Sequence, residues 1–363
     1  MTAGVHEVVA QFTVSATRLL DASGHHVGPL PAWAGDADTV VALYRAMVRT
    51  RAFDERAVAL QRTGRLGTFA ASLGQEAVPV GTAAAMRAND VLVPSFREQG
   101  AQLWRGVTPF ELLRYWGGDE RGSDFAGPRE DFPVSIPVAS HVPHAAGVAT
   151  AFRVRGEPRV AVCMLGDGGT SKGEFHEALN VAGVWCLPLV VVVANNGWAI
   201  SVPRAHQSAA ATLAQKAIAA GIPGHQVDGN DVLAVREVVG HAVEAARAGH
   251  GPTLVEALTY RLGDHTTADD ASRYRDDAEV SARWKAEPLP RLRAYLQGRD
   301  WWSDTDEEAL LEACAAEMDA AAEQWLGDPP PPPGAMFEYL HATLPTALAA
   351  QRDAVTAKDP EHG

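Results

Sequence analysis

RVAVCMLGDGGTSKGEFHEALNVAGVWCLPLVVVVANN, residues 159–196, predicts a strand, a helix and a second strand in direct succession. Its ends, 159–166 and 187–196, are short apolar runs rich in β-branched residues, as is typical of strands buried on both faces. Between them, apolar side chains recur at helical spacing: Phe175, Ala178, Leu179, Ala182 and Trp185. Ser171 and Glu174 have the spacing of a capping box at the helix start. Two buried strands joined by a helix form a right-handed crossover in a parallel sheet, so we expect an α/β fold with helices flanking a largely parallel sheet.

An aspartate stands between two glycines where the first of these strands ends. A Walker A loop needs Gly-Lys-Ser/Thr, and the lysine of GDGGTSKG, 166–173, instead precedes a glycine. A dinucleotide fingerprint needs a third glycine at position 171, which is serine, and does not favour an acid beside a pyrophosphate. A tight turn and a metal-bridged diphosphate remain as interpretations. Asp167 and Asn195-Asn196 follow consecutive strands, whose carboxyl ends meet at one edge, and Mg²⁺ prefers such oxygen ligands together with phosphate oxygens.

The composition is that of a globular protein, with 363 residues of which 47% are hydrophobic and 21% charged. A formal net charge of -14 without a compensating Lys/Arg block argues against nucleic-acid binding. The three cysteines form no Cys-x-x-Cys pair, which indicates a reducing compartment. We find no pattern of a signal peptide and no apolar window of the roughly 18 residues that a membrane span requires. We therefore expect a soluble, cytoplasmic protein that does not bind a membrane.

The chain is expected to contain three regions. Residues 1–38 are punctuated by glycine and proline and are interpreted as an N-terminal arm, 39–288 as an α/β domain, and 289–363 as a helical C-terminal tail. Helical periodicity over 39–61 predicts a long helix that Gly64 would end.

Further elements are predicted on either side of the strand-helix-strand unit. The polar, glycine-rich stretch 117–135 is expected to be a loop, 231–249 a helix and 252–262 a strand. Near the C-terminus, Thr305 to Glu308 has capping-box spacing, and five prolines at 329–333 predict a stiff polyproline spacer before a docking tail.

At this point the sequence resembles a known family. Gly166-Asp167-Gly168, 26 intervening residues and Asn195-Asn196 resemble the thiamine diphosphate signature. Three further blocks, NNGWAIS (195–201), VDGNDV (227–232) and YRLGDHTTADDASRYR (260–275), resemble in the same order the α subunit of the decarboxylating component of 2-oxo acid dehydrogenase complexes. The resemblance covers roughly residues 40–300 and implies a thiamine diphosphate-binding fold.

The resemblance implies a set of metal and cofactor contacts. Asp167, Asn196 and the backbone carbonyl of Trp198 would hold Mg²⁺, and relatives often have tyrosine at the last of these positions. Glycines would let backbone N–H groups approach the diphosphate. The loop and turn residues assigned to the cofactor in this way are Gly166, Gly168, Gly169 and Ala199.

Two other segments match cofactor contacts in the family. Phe96 and Arg97 match an aromatic–arginine pair near the cofactor, with Phe96 replacing a usual tyrosine. Ile136 and Val138 match positions that flank the central bend of the cofactor. Without the resemblance, Arg97 would be interpreted as part of a surface salt bridge, and Ile136 and Val138 as core residues.

His265 is the candidate catalytic residue. A lone histidine in a polar loop is usually structural, but this position matches the active-site histidine of the family, which would hydrogen-bond an anionic substrate or intermediate. Asp264 precedes it where relatives often have His or Pro, and we expect this carboxylate to raise the pKa of His265.

His141 and His144 are further candidates for lining the site. Two residues match a loop that orders over the cofactor, Tyr274 and Arg275.

The resemblance implies oxidative decarboxylation of a 2-oxo acid, with transfer of the acyl group to a lipoyl group on an acyltransferase component. Pyruvate is the expected substrate, because the stretch 123–134 resembles bacterial pyruvate-type chains. The segments 300–308 and 336–345 instead resemble branched-chain-type chains, so a branched-chain 2-oxo acid is the alternative. An acetoin-cleaving enzyme is a third possibility.

Two alternatives come from other classes of protein. A metal-dependent phosphohydrolase using Asp167 would need more acidic ligands at strand ends than the sequence offers, and a nucleotide-binding regulator would not need His265.

In the resembling family, a glutamate from a second α/β domain activates the cofactor, and the region after 288 is too short for such a domain. We therefore expect a separate β subunit in an α₂β₂ assembly, and a chain that is inactive without it.

Overall fold

The computed structural model describes residues 7–338 and 340–357 and contains a six-stranded sheet. The strands are β1 (Ala16–Thr17), β2 (Val91–Val93), β3 (Ala161–Gly166), β4 (Leu189–Asn195), β5 (Trp198–Ala199), β6 (Val202–Pro203), β7 (Gly224–Asp228) and β8 (Thr253–Leu258). The sheet has the order β1-β7-β8-β4-β3-β2, and each neighbouring pair is parallel. Strands β5 and β6 form a separate antiparallel pair. The expected α/β fold with a largely parallel sheet is confirmed.

The described chain contains thirteen α-helices in addition to this sheet. They are α1 (Ala37–Arg62), α2 (Ala77–Ala84), α3 (Gln99–Arg105), α4 (Pro109–Trp116), α5 (His141–Arg155), α6 (Gly173–Val184), α7 (Arg204–Gln207), α8 (Lys216–Ala219), α9 (Val232–Arg247), α10 (Asp277–Trp284), α11 (Pro288–Gln297), α12 (Asp304–Leu326) and α13 (Thr346–Thr356). The core residues of α5 and α6 pack on one face of the sheet, and those of α2 and α9 pack on the other. None of the helices in the described part of the chain is long and apolar enough to cross a membrane.

The strand-helix-strand unit is confirmed as β3, α6 and β4. Gly166 at the end of β3 pairs with Ala194 of β4, so the residues after both strands leave the sheet at one edge. The predicted capping box of Ser171 and Glu174 is wrong. Residues Asp167–Ser171 form a 3₁₀ turn, and α6 begins only after Lys172, which makes no side-chain cap. Trp185 lies beyond the end of α6 and is half exposed, so it does not belong to the buried face.

Other predicted elements have their expected places. The helix predicted over 39–61 is α1, and Gly64 just beyond it has a positive φ of 71°. The helix predicted over 231–249 is α9, the strand predicted over 252–262 is the shorter β8, and 117–135 contains a single 3₁₀ turn.

The capping box of the C-terminal helix α12 lies two residues before the predicted one. The Ser303 hydroxyl accepts a hydrogen bond from the backbone N–H of Asp306, and the Asp306 carboxylate accepts one from that of Ser303. Thr305 and Glu308 are therefore inside the helix. Pro332 has the extended φ and ψ of a polyproline segment, -62° and 151°, whereas Pro333 already opens a 3₁₀ turn.

The N-terminal arm contributes β1 to the edge of the sheet. Beside it, one carboxylate of Asp231, which is 1% exposed, binds two segments of the chain. Its Oδ2 accepts the N–H groups of Leu19 and Leu20 at 2.7 and 2.6 Å. Its Oδ1 accepts those of Leu233 and Ala234, both at 3.1 Å, and caps α9.

Candidate active site

A cavity of about 580 Å³ lies at the carboxyl edge of the sheet. Its wall is formed by residues that follow β2, β3 and β4 and by the loop after β8. All twelve residues that the sequence assigned to the cofactor, the metal or catalysis line this one cavity: Phe96, Arg97, Ile136, Val138, Gly166, Asp167, Gly168, Gly169, Asn196, Trp198, Ala199 and His265. Their individual roles stay predictions.

Asp167 and Asn196 are buried beside each other at this edge. The Asp167 carboxylate is 1% exposed, makes no salt bridge within the described chain, and accepts a hydrogen bond from Gln207 Nε2 at 2.8 Å. Burial raises the pKa of Asp167 above its usual value. Asn196 Oδ1 accepts the N–H of Trp198 at 3.1 Å. A buried carboxylate without a cationic partner, an amide oxygen and a nearby carbonyl form a donor set that fits Mg²⁺.

The described residues contain no group of three or more His, Cys, Asp or Glu side chains that could hold a metal. A metal at this edge would therefore depend on one carboxylate, supplemented by amide, carbonyl and phosphate oxygens. This pattern does not favour a phosphohydrolase with several acidic ligands.

The loop glycines differ in what surrounds them. A Cβ atom at Gly168 would lie 2.7 Å from Ala199 Cβ, and one at Gly169 would lie 2.7 Å from Leu165 Cδ1. At Gly166, by contrast, a Cβ would meet no atom within 4 Å. Close packing therefore favours glycine at 168, where the contacted Cβ is fixed by the backbone, more strongly than at 169, where the end of the Leu165 side chain can shift. Gly166 leaves open space beside the end of β3.

His265 is held by two arginines. Its Nδ1 lies 2.9 Å from Nη2 of Arg97 and 3.3 Å from Nη1 of Arg261. A guanidinium group can only donate, so Nδ1 must accept, and the proton of the neutral ring is on Nε2. Burial and the two neighbouring positive charges lower the pKa of His265 to about 4. His265 is therefore a neutral hydrogen-bond donor at physiological pH.

The expectation that Asp264 raises the pKa of His265 is wrong. Asp264 is exposed, and its Oδ1 accepts the N–H of Ala271 at 2.9 Å, so the side chain is directed along its own loop. Asp269 is the carboxylate that acts on His265, and its effect is smaller than that of burial and of the arginines.

Arg97 is not part of a surface salt bridge. Its guanidinium donates to the carbonyl of Ala71 at 2.7 Å and to that of His265 at 2.6 Å. The Phe96 ring meets the His265 ring edge to face, with centroids 6.0 Å apart. These contacts bring the predicted aromatic–arginine pair and the predicted catalytic histidine together.

Hydrogen bonds fix the loop that carries His265. Arg261, 1% exposed, donates to the carbonyl of Ile200 and to the Tyr274 hydroxyl, both at 2.9 Å. The Tyr274 hydroxyl in turn donates to Asp269. Arg275 donates to the carbonyl of Gly263 at 2.7 Å. Tyr274 and Arg275 thus belong to the predicted loop, and their role toward a cofactor stays a prediction.

Ile136 and Val138 are 51% and 47% exposed, although both line the cavity. They are not core residues, so the interpretation made without the resemblance is wrong. His141 and His144 do not line the cavity. His141 Nε2 bonds the carbonyl of Met164 at 2.8 Å, and His144 lies against Phe132.

Several cavity residues were missed by the sequence analysis. Among them are Thr68, Gln75, Glu98, Trp116, Leu165 and Ile200. Gln75 and Glu98 are 3% and 4% exposed, and burial raises the pKa of Glu98 to about 7. The burial of Gln75 does not follow from any local sequence pattern, and Trp116 likewise carries no local signal.

Comparison of the sequence with known proteins gives a matching family model and several similar relatives. The sequence model described as dehydrogenase E1 component matches residues 44–333. The 3-methyl-2-oxobutanoate dehydrogenase subunit alpha of Mycobacterium tuberculosis (strain H37Rv) is 43% identical over 322 residues, which cover 88% of each chain. The pyruvate dehydrogenase E1 component subunit alpha of Mycoplasma genitalium is 38% identical over 309 residues, 85% of this chain and 86% of the relative. The protein of the same name from Staphylococcus aureus (strain Mu50) is 38% identical over 323 residues, 89% and 87%.

Proposed function

Because this chain belongs to the dehydrogenase E1 component family, as an alpha subunit of a 2-oxo acid dehydrogenase, we propose that it binds thiamine diphosphate and Mg²⁺ for 2-oxo acid decarboxylation. The main support for this proposal is that Asp167, Asn196 and His265 line the same cavity. The cofactor supplies the carbanion chemistry when it is bound, and the protein orients it. The acyl group would pass to a lipoyl group on an acyltransferase component.

The residues of the cavity have separate tasks in this proposal. Asp167, Asn196 and the carbonyl of Trp198 would hold the metal and, with Gly166, leave room for the diphosphate. His265 lies close to these groups, because Arg261 Nη1 is 3.4 Å from the carbonyl of Trp198 and 3.3 Å from His265 Nδ1, and it would present its Nε2–H as a fixed donor to the negative charge on the substrate. Phe96 packs on the His265 ring, and Arg97 holds its Nδ1.

The requirement for a β subunit is part of the proposal. Ile136 and Val138 leave the rim of the cavity half exposed, and Ile200, which also lines the cavity, is 55% exposed. Such surface is typical of a subunit that is covered in an assembly. We propose an α₂β₂ heterotetramer in which the β subunit completes the cofactor site.

The similar relatives are named for two substrates, pyruvate and 3-methyl-2-oxobutanoate, and both are candidates for this chain. We propose pyruvate on the loop pattern of 123–134, and 3-methyl-2-oxobutanoate as the second candidate because of the 43% identical relative. The test is the decarboxylation rate of the reconstituted complex with each acid. A higher kcat/KM for pyruvate is expected, and a higher value for 3-methyl-2-oxobutanoate would reverse the assignment. Decarboxylation of neither acid would contradict the proposed function.

Replacement of His265 should reduce turnover without loss of the cofactor. In the reconstituted complex, His265→Ala is expected to lower kcat by about 10²-fold, because a positioned donor to developing charge is lost. His265→Gln should lose less, since Arg97 and Arg261 would hold its amide oxygen and turn its N–H₂ to the cavity. Wild-type turnover should show no ionisation of His265 near pH 6.5, because its pKa of about 4 keeps it neutral from pH 5 upward. A kcat profile with a pKa near 6.5 that disappears in His265→Ala would contradict the neutral state of His265.

A further inference from the structure

The two proposed side-chain ligands of the metal each have a glutamine partner that the sequence did not indicate. Asn196 shows this most clearly. Its Oδ1 accepts the backbone N–H of Trp198 at 3.1 Å, which fixes which end of the amide is oxygen. Its Nδ2 therefore points the other way and donates to Gln75 Oε1 at 3.0 Å.

The Gln75 side chain is buried beside Asn196. Its side chain lies directly before α2, is 3% exposed and contributes to the cavity wall. Its Oε1 is turned to Asn196, while its buried Nε2 has no hydrogen-bond partner among the described residues. Without the Gln75 acceptor, the Asn196 amide would lose one of the two hydrogen bonds that oppose its rotation, and only the bond from the Trp198 N–H would remain. Rotation by half a turn would present N–H groups to a cation.

Gln207 has the corresponding contact with Asp167. Its Nε2 donates both hydrogens, one to Asp167 Oδ2 at 2.8 Å and one to the carbonyl of Val202 at 3.1 Å. These two acceptors define the orientation of the Gln207 amide. Its Oε1 is buried next to Gly168 and has no hydrogen-bond partner among the described residues. One carboxylate oxygen of Asp167 is thereby engaged, and the rotation of the group is restricted.

We propose that Gln75 and Gln207 are positioning residues that fix the Asn196 amide and the Asp167 carboxylate for a metal–diphosphate group. This inference rests on the proposed function, since it needs Asp167 and Asn196 to be the ligands. Both glutamines act through a ligand and not on the reacting atoms. Partners of this kind determine the orientation of a ligand, and their loss typically weakens metal binding 10–100-fold.

The test measures binding of thiamine diphosphate by calorimetry at a fixed Mg²⁺ concentration, using the reconstituted complex. Gln75→Met keeps the volume and removes the acceptor, and it should weaken binding roughly 10–100-fold. Gln75→Glu keeps an acceptor for Asn196 Nδ2, and it should bind close to the wild-type complex. Unchanged affinity in Gln75→Met would overturn the proposal for Gln75, because a role in packing alone predicts that result. Equal losses in the Met and Glu variants would also overturn it. If Gln75→Met does not assemble, the Glu variant decides: folded and weakly binding, it contradicts the proposal.

Gln207 is tested in the same way with a control on its own helix. Gln207→Met should weaken binding roughly 10–100-fold, and His206→Ala, which removes an exposed neighbour in α7, should leave it unchanged. Equal affinities of the two variants would overturn the role of Gln207. Asp167→Asn separates this inference from the proposed function. If Asp167→Asn binds normally, the metal site itself is wrong; if only the glutamine variants bind normally, the positioning roles alone are wrong.

Discussion

Complexes that carry Asp167→Asn are expected to bind thiamine diphosphate more than about 100-fold more weakly in the presence of Mg²⁺. The loss should exceed the 10–100-fold typical of residues that only orient a ligand, because Asp167 is the proposed metal site's single carboxylate. The change keeps the size of the side chain and an oxygen that can accept from Gln207. Calorimetry with and without Mg²⁺ measures the effect.

The fold should survive this substitution. The Asp167 carboxylate is 1% exposed and makes no salt bridge in the described chain, so its removal leaves no opposite charge unpaired. Asp264→Asn is the matched control, because it removes a carboxylate near His265 that does not line the cavity. Its affinity should equal that of the wild type. An Asp167→Asn complex that binds the cofactor normally would remove the metal assignment, and a loss in both variants would indicate a general effect of charge.

The isolated chain should show no measurable decarboxylation of a 2-oxo acid and poor binding of thiamine diphosphate. The reason is architectural. Among the described residues, one six-stranded sheet supplies the strand ends at the cavity, and the other sheet is a two-stranded pair. After residue 297 the described residues add α12, α13 and a 3₁₀ turn, and no further strand. The half of the site that would contact the aminopyrimidine ring is expected from another subunit, because the similar relatives are named as alpha subunits.

Assays of the chain with and without its β partner measure this directly. Addition of the partner should restore both decarboxylation and calorimetric binding. Robust activity of the lone chain would overturn the assignment. It would also direct attention to Glu98, a buried carboxyl that lines the cavity besides Asp167 and whose pKa burial raises to about 7.

The strand-helix-strand unit β3, α6 and β4 could be predicted because it depends on the pattern of apolar residues within one short stretch of sequence. Strands β3 and β4 are apolar along their lengths, and their burial on both faces requires nothing beyond that pattern. The start of α6 could not be predicted in this way. Residues 167–171 wind as a 3₁₀ turn that is held by a residue distant in sequence: the Lys216 ammonium donates to the Thr170 hydroxyl at 3.0 Å and to the Thr170 carbonyl.

The same distinction applies to the cavity. The closeness of Asp167 and Asn196 follows from the order of parallel strands, and the sequence contains that information. The contact between Arg97 and His265 joins residues 168 positions apart, and no local pattern indicates it. The effect expected of Asp264 was wrong for the same reason, since sequence adjacency does not determine where a side chain points.

Asp231 has a thermodynamic consequence. Its two carboxylate oxygens bind backbone N–H groups from the N-terminal arm and from the first turn of α9. Detachment of the arm would leave a buried carboxylate with half of its donors, which is costly away from water. The arm and α9 should therefore open together in hydrogen exchange, as one cooperative unit. The predicted boundary at residue 38 divides the chain by composition, but the parts on either side of it should not melt separately.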